Sequence, residues 1–185
     1  MDVSFIIVNW NTKKLTEQAI ASLYKYAKGI TFEVIVVDNG STDGSQRIVK
    51  NKFPKVNLIE NKDNLGFATA NNQGIKIAKG EFVFLFNSDA YLVDESIKNL
   101  VKRAREIPNL GAIAPKILKP DRSIQQSAGF QPDLIRILFW MTFIDDLPLG
   151  QLLRPYHIDH DSFYQKEHEV DWLTGAALMV PKAVI

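Results

Sequence analysis

Residues 82–86 read Phe-Val-Phe-Leu-Phe, five apolar positions without interruption, and stop at Asn87-Ser88-Asp89. Such a run predicts a strand covered on both faces, as in a parallel sheet with helices on each side. Residues 3–8 (VSFIIV) and 32–37 (FEVIVV) show the same pattern. Between them Leu15, Ala19, Ile20, Leu23 and Ala27 fall on one helical face, with Gly29 as the stop and Asn11 or Thr12 as the cap. Ile48, Val49 and Phe53 mark a second helix, and Pro54 separates it from a short strand over 56–60. Residues 67–78 form a third helix, with Phe67, Ala70, Gly74, Ile75 and Ala78 on one side. Asn71, Asn72 and Gly74 are poor helix formers, Gly costing about 1 kcal/mol relative to Ala. Their presence points to close backbone approach or a ligand role, or to an irregular helix.

After the 82–86 strand, residues 94–107 predict an amphipathic helix, and 111–118 a further strand with Pro115 as a mark of an edge or bulge. A turn at 120–123 and a return arm over 124–128 suggest a hairpin. Alternation lapses from 129 to 169, and order returns at 170–180. Within the lapse, residues 135–144 (IRILFWMTFI) are apolar and aromatic. They read as a core helix or as an interfacial, acceptor-facing segment. The sum is an α/β three-layer sandwich with a mainly parallel central sheet flanked by helices. It reads as one domain over 1–185, with the α/β alternation to 118 and a hairpin-bearing part over 119–185.

Composition narrows the function classes. The 185 residues are 46% hydrophobic and 23% charged, ordinary for a globular protein. A net charge of +1 gives no electrostatic case for nucleic acid as a partner. Cysteine is absent, which removes disulfides, thiolate zinc sites and a Cys nucleophile. No apolar stretch reaches the roughly 18–20 residues that span a bilayer, and no basic segment precedes an apolar one at the start.

Candidate chemistry lies at strand ends. In open α/β sheets ligands sit outside the carboxyl ends of the strands. Asp38 and Asp89 both stand there, Asp38 opening the segment DNGSTDGS. A plain surface turn is the alternative for Asp38. One carboxylate plus substrate phosphates suffices for Mg2+ or Mn2+, which makes Asp89 the candidate metal ligand. The dinucleotide fingerprint, the P-loop and the G-x-S-x-G elbow are all missing. His157-Ile158-Asp159-His160-Asp161 has zinc-like spacing but reads better as a solvated loop.

Five segments, SFIIVNWN (4–11), VVDNGSTDGS (36–45), NLGFATANNQG (64–74), FNSDA (86–90) and DWLTGAALMVPK (171–182), together resemble the inverting family-2 glycosyltransferases of GT-A type, in particular the rhamnosyltransferase-like branch. The resemblance implies a nucleotide-sugar site at the carboxyl ends of the strands. Val8, Asn9 and Trp10 would line the nucleobase pocket and Asp38 would bind the base. Asn64, Gly66 and the Asn71-Asn72 pair would lie near the nucleotide. Asn87-Ser88-Asp89 takes the place of the D-x-D motif, with Asp89 on the metal. Trp172, Thr174, Gly175 and Ala176 would border donor sugar and acceptor.

The chain departs from the family pattern where many relatives have a second acid at Asn39, Arg at Asn71 and an acid at Ser88. The family's catalytic base typically follows the 175–180 stretch, so the chain looks like an amino-terminal fragment. Within it Asp171 is the candidate base, with a structural or acceptor-contacting role as the alternative. The implied activity is metal-dependent transfer from a UDP-, dTDP- or GDP-linked sugar to a saccharide or lipid-linked saccharide, in bacterial polysaccharide or glycolipid synthesis. A fragment that binds nucleotide sugar without turnover is the second expectation. The implied location is cytoplasmic, with room for peripheral association at the inner face of a membrane.

Overall fold

The computed structural model describes residues 1–142, 156–158 and 160–185. In chain order the elements are β1 (Val3–Asn9), α1 (Lys13–Tyr26), β2 (Phe32–Asp38), α2 (Ser45–Lys52), β3 (Asn57–Glu60), α3 (Phe67–Ile77), β4 (Phe82–Phe86) and α4 (Ile97–Glu106). Then follow β5 (Ile117–Leu118), β6 (Ile124–Gln125), β7 (Ala128–Gly129), α5 (Leu134–Met141), β8 (Trp172–Leu173) and β9 (Ala177–Pro181). They divide into two compact units, Met1–Pro115 with Gly175–Ile185, and Lys116–Thr174.

The first unit holds a five-stranded sheet in the order β3-β2-β1-β4-β9, parallel except for β9. The apolar runs are unbroken because β1 and β2 are covered on both faces: Phe5, Ile7 and Val34 to Val37 are completely buried. Pleating sends Ile6 to one face, where it packs with Ile35, Val37, Val83, Ala70 and Ala78. On the other, Phe5 meets Phe32, Phe84 and Phe86 edge-on at 5.7, 5.3 and 6.1 Å. A Cβ on Gly74 would stand 2.6 Å from Ile6 Cγ2. Close approach of α3 to β1 is therefore the reason for a glycine within that helix.

From β1 the chain builds β2 and β3 to one side and returns through α3 to β4 on the other. Adjacent strands thus diverge at β1 and β4, the switch point at which a ligand cleft opens beyond the carboxyl ends.

Three expectations are corrected. Residues 111–118 do not form one strand. Pro115 lacks an N–H for a ladder, so only Ile113 bridges Met179, while β5 pairs with β6. The fifth strand of the sheet is β9, antiparallel to β4 from Phe82↔Pro181 to Phe86↔Ala177. The fourth helix begins at Ile97, because Asp94 is used in a turn that accepts the Ser96 N–H at 2.9 Å. Finally, α5 is no core helix: Leu134, Ile135, Leu138 and Met141 are 87, 64, 56 and 66% exposed. Residues 143 and 144 of that apolar stretch lie outside the described residues.

The second unit has the predicted hairpin, β5 with β6, over residues 117–125. The Ala128 end of the expected arm belongs instead to β7, paired with β8. Ala128, Phe130 and Ile158 form a small core with Phe163, Tyr164, Val170 and Leu173 around it. The Trp172 indole donates to the carbonyls of Phe130 and Tyr156 at 3.2 and 3.1 Å. Its ring also lies where a Cβ on Gly129 would be, 2.4 Å away, so only glycine fits there. His157 packs against the rings of Tyr156 and Trp172, and Ile158 is 3% exposed. That stretch is thus anchored in a core rather than a solvated loop; Asp159 lies outside the described residues.

Candidate functional site

Three loops meet at the carboxyl edge of the first unit: residues 10–12 after β1, 39–44 after β2 and 87–90 after β4. Asn11 adopts a left-handed backbone (φ 54°). Its N–H donates to Ser41 Oγ at 2.9 Å, and its side-chain oxygen accepts the Thr42 N–H at 2.8 Å. The expected caps of α1 do not form, since Asn11 is turned to the second loop and the Thr12 hydroxyl makes no cap bond. Asp43 takes their place from across the cleft. One oxygen accepts the Lys13 N–H at 2.9 Å and the other the Ser45 N–H at 3.0 Å, so one carboxylate serves the first residues of α1 and α2. Partial burial would raise its pKa, but the hydrogen bonds from Ser45 and Lys13 outweigh that and hold it below the ordinary aspartate value.

Asp38 is 1% exposed at the end of β2. One carboxylate oxygen accepts from the Asn9 amide, the other from the Ser41 N–H at 2.9 Å and Gln46 Nε2 at 2.7 Å. A buried anion needs such partners. Asn9 is itself completely buried. Its Oδ1 lies 2.7 Å from Thr12 Oγ1 and 2.6 Å from Thr16 Oγ1. Thr12 Oγ1 lies 3.1 Å from Ser88 Oγ. A hydrogen-bonded line thus runs from α2 through Asp38, Asn9 and Thr12 to the loop after β4.

The Asn87 N–H donates to Ala176 O at 3.0 Å, which brings Ala176, just before β9, to the end of β4. Ser88 is half-buried, while Asp89 is exposed. Asp89 joins no group of three or more potential metal ligands among the described residues. A lone open carboxylate fits Mg2+ or Mn2+, which bind through one or two carboxylates and substrate phosphates.

A second network is made of neutral amides. Asn39, 2% exposed, accepts from Asn61 Nδ2 at 2.9 Å. It donates at 3.3 Å to Asn64 Oδ1 and to Gly66 O. Asn61 and Gln73 exchange two hydrogen bonds of 2.8 and 3.0 Å. Asn64 and Gly66 are thereby tied to the end of β2. The amide of Asn71 points back to Phe67 O at 2.9 Å. Val8 is half-buried and Trp10 is 56% exposed.

In the second unit, Asp171 is exposed and its Oδ2 accepts the Gln131 N–H at 2.8 Å. The Thr174 N–H donates to Ser127 O at 2.9 Å, and Thr174 Oγ1 is buried with no hydrogen-bond partner among the described residues. Gly175 is exposed and begins the segment that returns to the first unit. Thr12, Thr16, Ser41, Gln46, Asn61 and Gln73 belong to the site without having been expected there from the sequence. The available signal was their polarity close to strand ends and on helix faces that otherwise bury apolar groups.

The chain belongs to glycosyl transferase family 2, whose family model matches residues 4–165. Among its relatives is the N-acetylglucosaminyl-diphospho-decaprenol L-rhamnosyltransferase of Mycobacterium tuberculosis (strain H37Rv). It is 30% identical over 189 residues, which cover 96% of this chain and 61% of the relative. A UDP-Glc:alpha-D-GlcNAc-diphosphoundecaprenol beta-1,3-glucosyltransferase of Escherichia coli is 35% identical over 104 residues, 54% of this chain and 39% of its own. The chain thus spans about three fifths of the first relative and less of the second.

The structure resembles that of S. aureus TarS in complex with UDP-GlcNAc. The TM-score is 0.58 at 27% identity, over 71% of this chain and 39% of TarS 1–349. It also resembles a mannosyltransferase from Pyrobaculum calidifontis in complex with GDP-Man and Mn2+. There the TM-score is 0.57 at 26% identity, over 64% of this chain and 36% of the other. The sheet of the first unit is accordingly of the GT-A type anticipated from the sequence.

Proposed function

We propose that the protein transfers a sugar, with inversion, from a nucleoside diphosphate to a hydroxyl of a saccharide or lipid-linked saccharide. The observation that carries this is the convergence of Asp38 and Asp89 on one sheet edge. Asp38 is fixed by three groups, Asn9, Ser41 and Gln46, whereas Asp89 is open to solvent. Asp38, buried and held by Asn9, Ser41 and Gln46, orders the base side of the site, with Val8 and Trp10 at its pocket. Asn64, Gly66 and Asn71 lie toward the nucleotide. Asn87 and Ser88 shape the loop that presents Asp89. A divalent cation on Asp89 would neutralise charge on the leaving diphosphate. The sugar passes through an oxocarbenium-like state, and a carboxylate takes the acceptor proton, an effect typically worth about 10²–10⁴-fold. Gly175 and Ala176, the latter held at the end of β4 by Asn87, border the sugar.

Two relatives carry polyprenyl diphosphates in their names, from M. tuberculosis and E. coli. Together with the exposed apolar residues of α5, they support a lipid-linked acceptor in bacterial surface glycan synthesis and peripheral work at the cytoplasmic face of a membrane. No helix among the described residues is long and apolar enough to cross one.

Calorimetric titration of UDP, dTDP and GDP, with and without Mn2+, tests the donor half. Binding of one of them that strengthens with metal is expected; no binding by any refutes the reading. Metal-dependent binding without sugar transfer to any acceptor would favour donor binding without turnover.

A further inference from the structure

Thr12 sits between the two ends of the proposed donor site with one hydroxyl proton and three oxygens in reach. Asn9 Oδ1 is 2.7 Å away, Ser88 Oγ 3.1 Å and Thr16 Oγ1 3.2 Å. A threonine hydroxyl donates one hydrogen bond, so it serves one of these at a time. The Asn9 amide orientation is fixed, because its nitrogen faces the acceptor-only carboxylate of Asp38. Asn9 Oδ1 is therefore an acceptor, and Thr16 Oγ1 also reaches it at 2.6 Å. When Thr12 turns its proton to Ser88, Thr16 still satisfies Asn9, and no buried oxygen is left unpaired. The Thr12 hydroxyl can thus bond to the loop after β4 without disturbing the support of Asp38.

We propose that Thr12 is a positioning residue that couples the loop bearing Ser88 and Asp89 to the nucleobase side of the site. This rests on the donor-binding function above. Ser88 accepts from Thr12, and the loop that carries Asp89 is thereby held at the metal-bearing end. The Thr12 contact acts on the metal-bearing end, whereas the Asp38 end keeps Gln46, Ser41, Asn9 and Thr16. Its loss should therefore weaken metal-dependent binding more than metal-independent binding.

The test is a double-mutant cycle with Thr12→Val and Ser88→Ala, read as the Kd for UDP, GDP and dTDP with and without Mn2+. For the nucleotide that binds, each single variant should cut the Mn2+-dependent gain in affinity by about 3–10-fold, the worth of one hydrogen bond. For Thr12→Val, metal-free affinity should change less than about twofold. The double variant should lose no more than the larger single, and Thr12→Ser should restore the gain. Additive losses, equal losses with and without Mn2+, or an unchanged gain overturn the proposal while leaving the donor-binding function intact. If no nucleotide binds the unmodified protein, both fall together. Should Thr12→Val fail to fold, Thr12→Ala takes its place in the cycle and the same outcomes decide.

Discussion

Replacing Asp43 with alanine removes one carboxylate from two helix starts at once. The Lys13 N–H of α1 and the Ser45 N–H of α2 both lose their acceptor, at 2.9 and 3.0 Å. Loss of a cap costs about 0.5–2 kcal/mol, typically about 1. Asp43 is on the surface, so solvent screens each contact and the lower half of that range applies. Two caps then sum to about 1–2 kcal/mol. For a domain of this size, about 1 kcal/mol moves Tm by roughly 2–4 °C, so a fall of roughly 2–8 °C is expected.

The pH dependence supplies a second readout. The carboxylate's folded pKa is depressed below the ordinary 3.8, so its stabilisation is fully present above that value and fades as pH falls through the folded pKa. Urea melts of the protein and of Asp43→Ala should differ by a constant amount from pH 8 to pH 5. The difference should shrink only below about pH 4. A difference under about 0.5 kcal/mol at pH 7, or one that changes between pH 8 and 6, would refute the double-cap argument.

Asp89→Ala should leave nucleotide binding without its Mn2+ dependence in the calorimeter, and a retained dependence would remove Asp89 from the metal. Gly74→Ala should destabilise by about 1–3 kcal/mol in denaturant melts, the usual cost of overpacking, because its Cβ would press on Ile6 at 2.6 Å. Asp171→Asn should keep sugar transfer within about tenfold. A loss of the 10²–10⁴-fold that general bases contribute would instead make Asp171 the base.

Strand positions were readable where both faces are buried, since the chain there has no reason to alternate. Phe82 to Phe86 and Val34 to Val37 are the clear cases, and they fix where Asp89 and Asp38 emerge. The antiparallel β9 was not readable as a sheet member. Its partner β4 is distant in sequence, and nothing in Ala177–Pro181 specifies direction. Pro115 had already marked the weakness of the strand expected in its place. The polar wiring of the site was equally hidden. A cap such as Asp43 on α1 is supplied from another loop, and Thr12 has the sequence of a cap but spends its hydroxyl across the cleft. The apolar content of residues 135–144 suggested a core helix or an interfacial segment, and composition alone could not choose between burial and the exposure found in α5.

Asn39 is followed by Gly40, the pairing in which the next backbone nitrogen most readily attacks the asparagine side chain and expels ammonia. That attack needs the amide to swing free. In this fold the side chain is 2% exposed and held by Asn61 on its oxygen and by Asn64 and Gly66 on its nitrogen. The network that shapes the end of β2 therefore also slows chemical ageing at this bond. Once unfolded, the same residue loses that protection, and the resulting aspartate would bring a new negative charge next to Asp38. Time spent unfolded would leave a lasting covalent mark at the donor site.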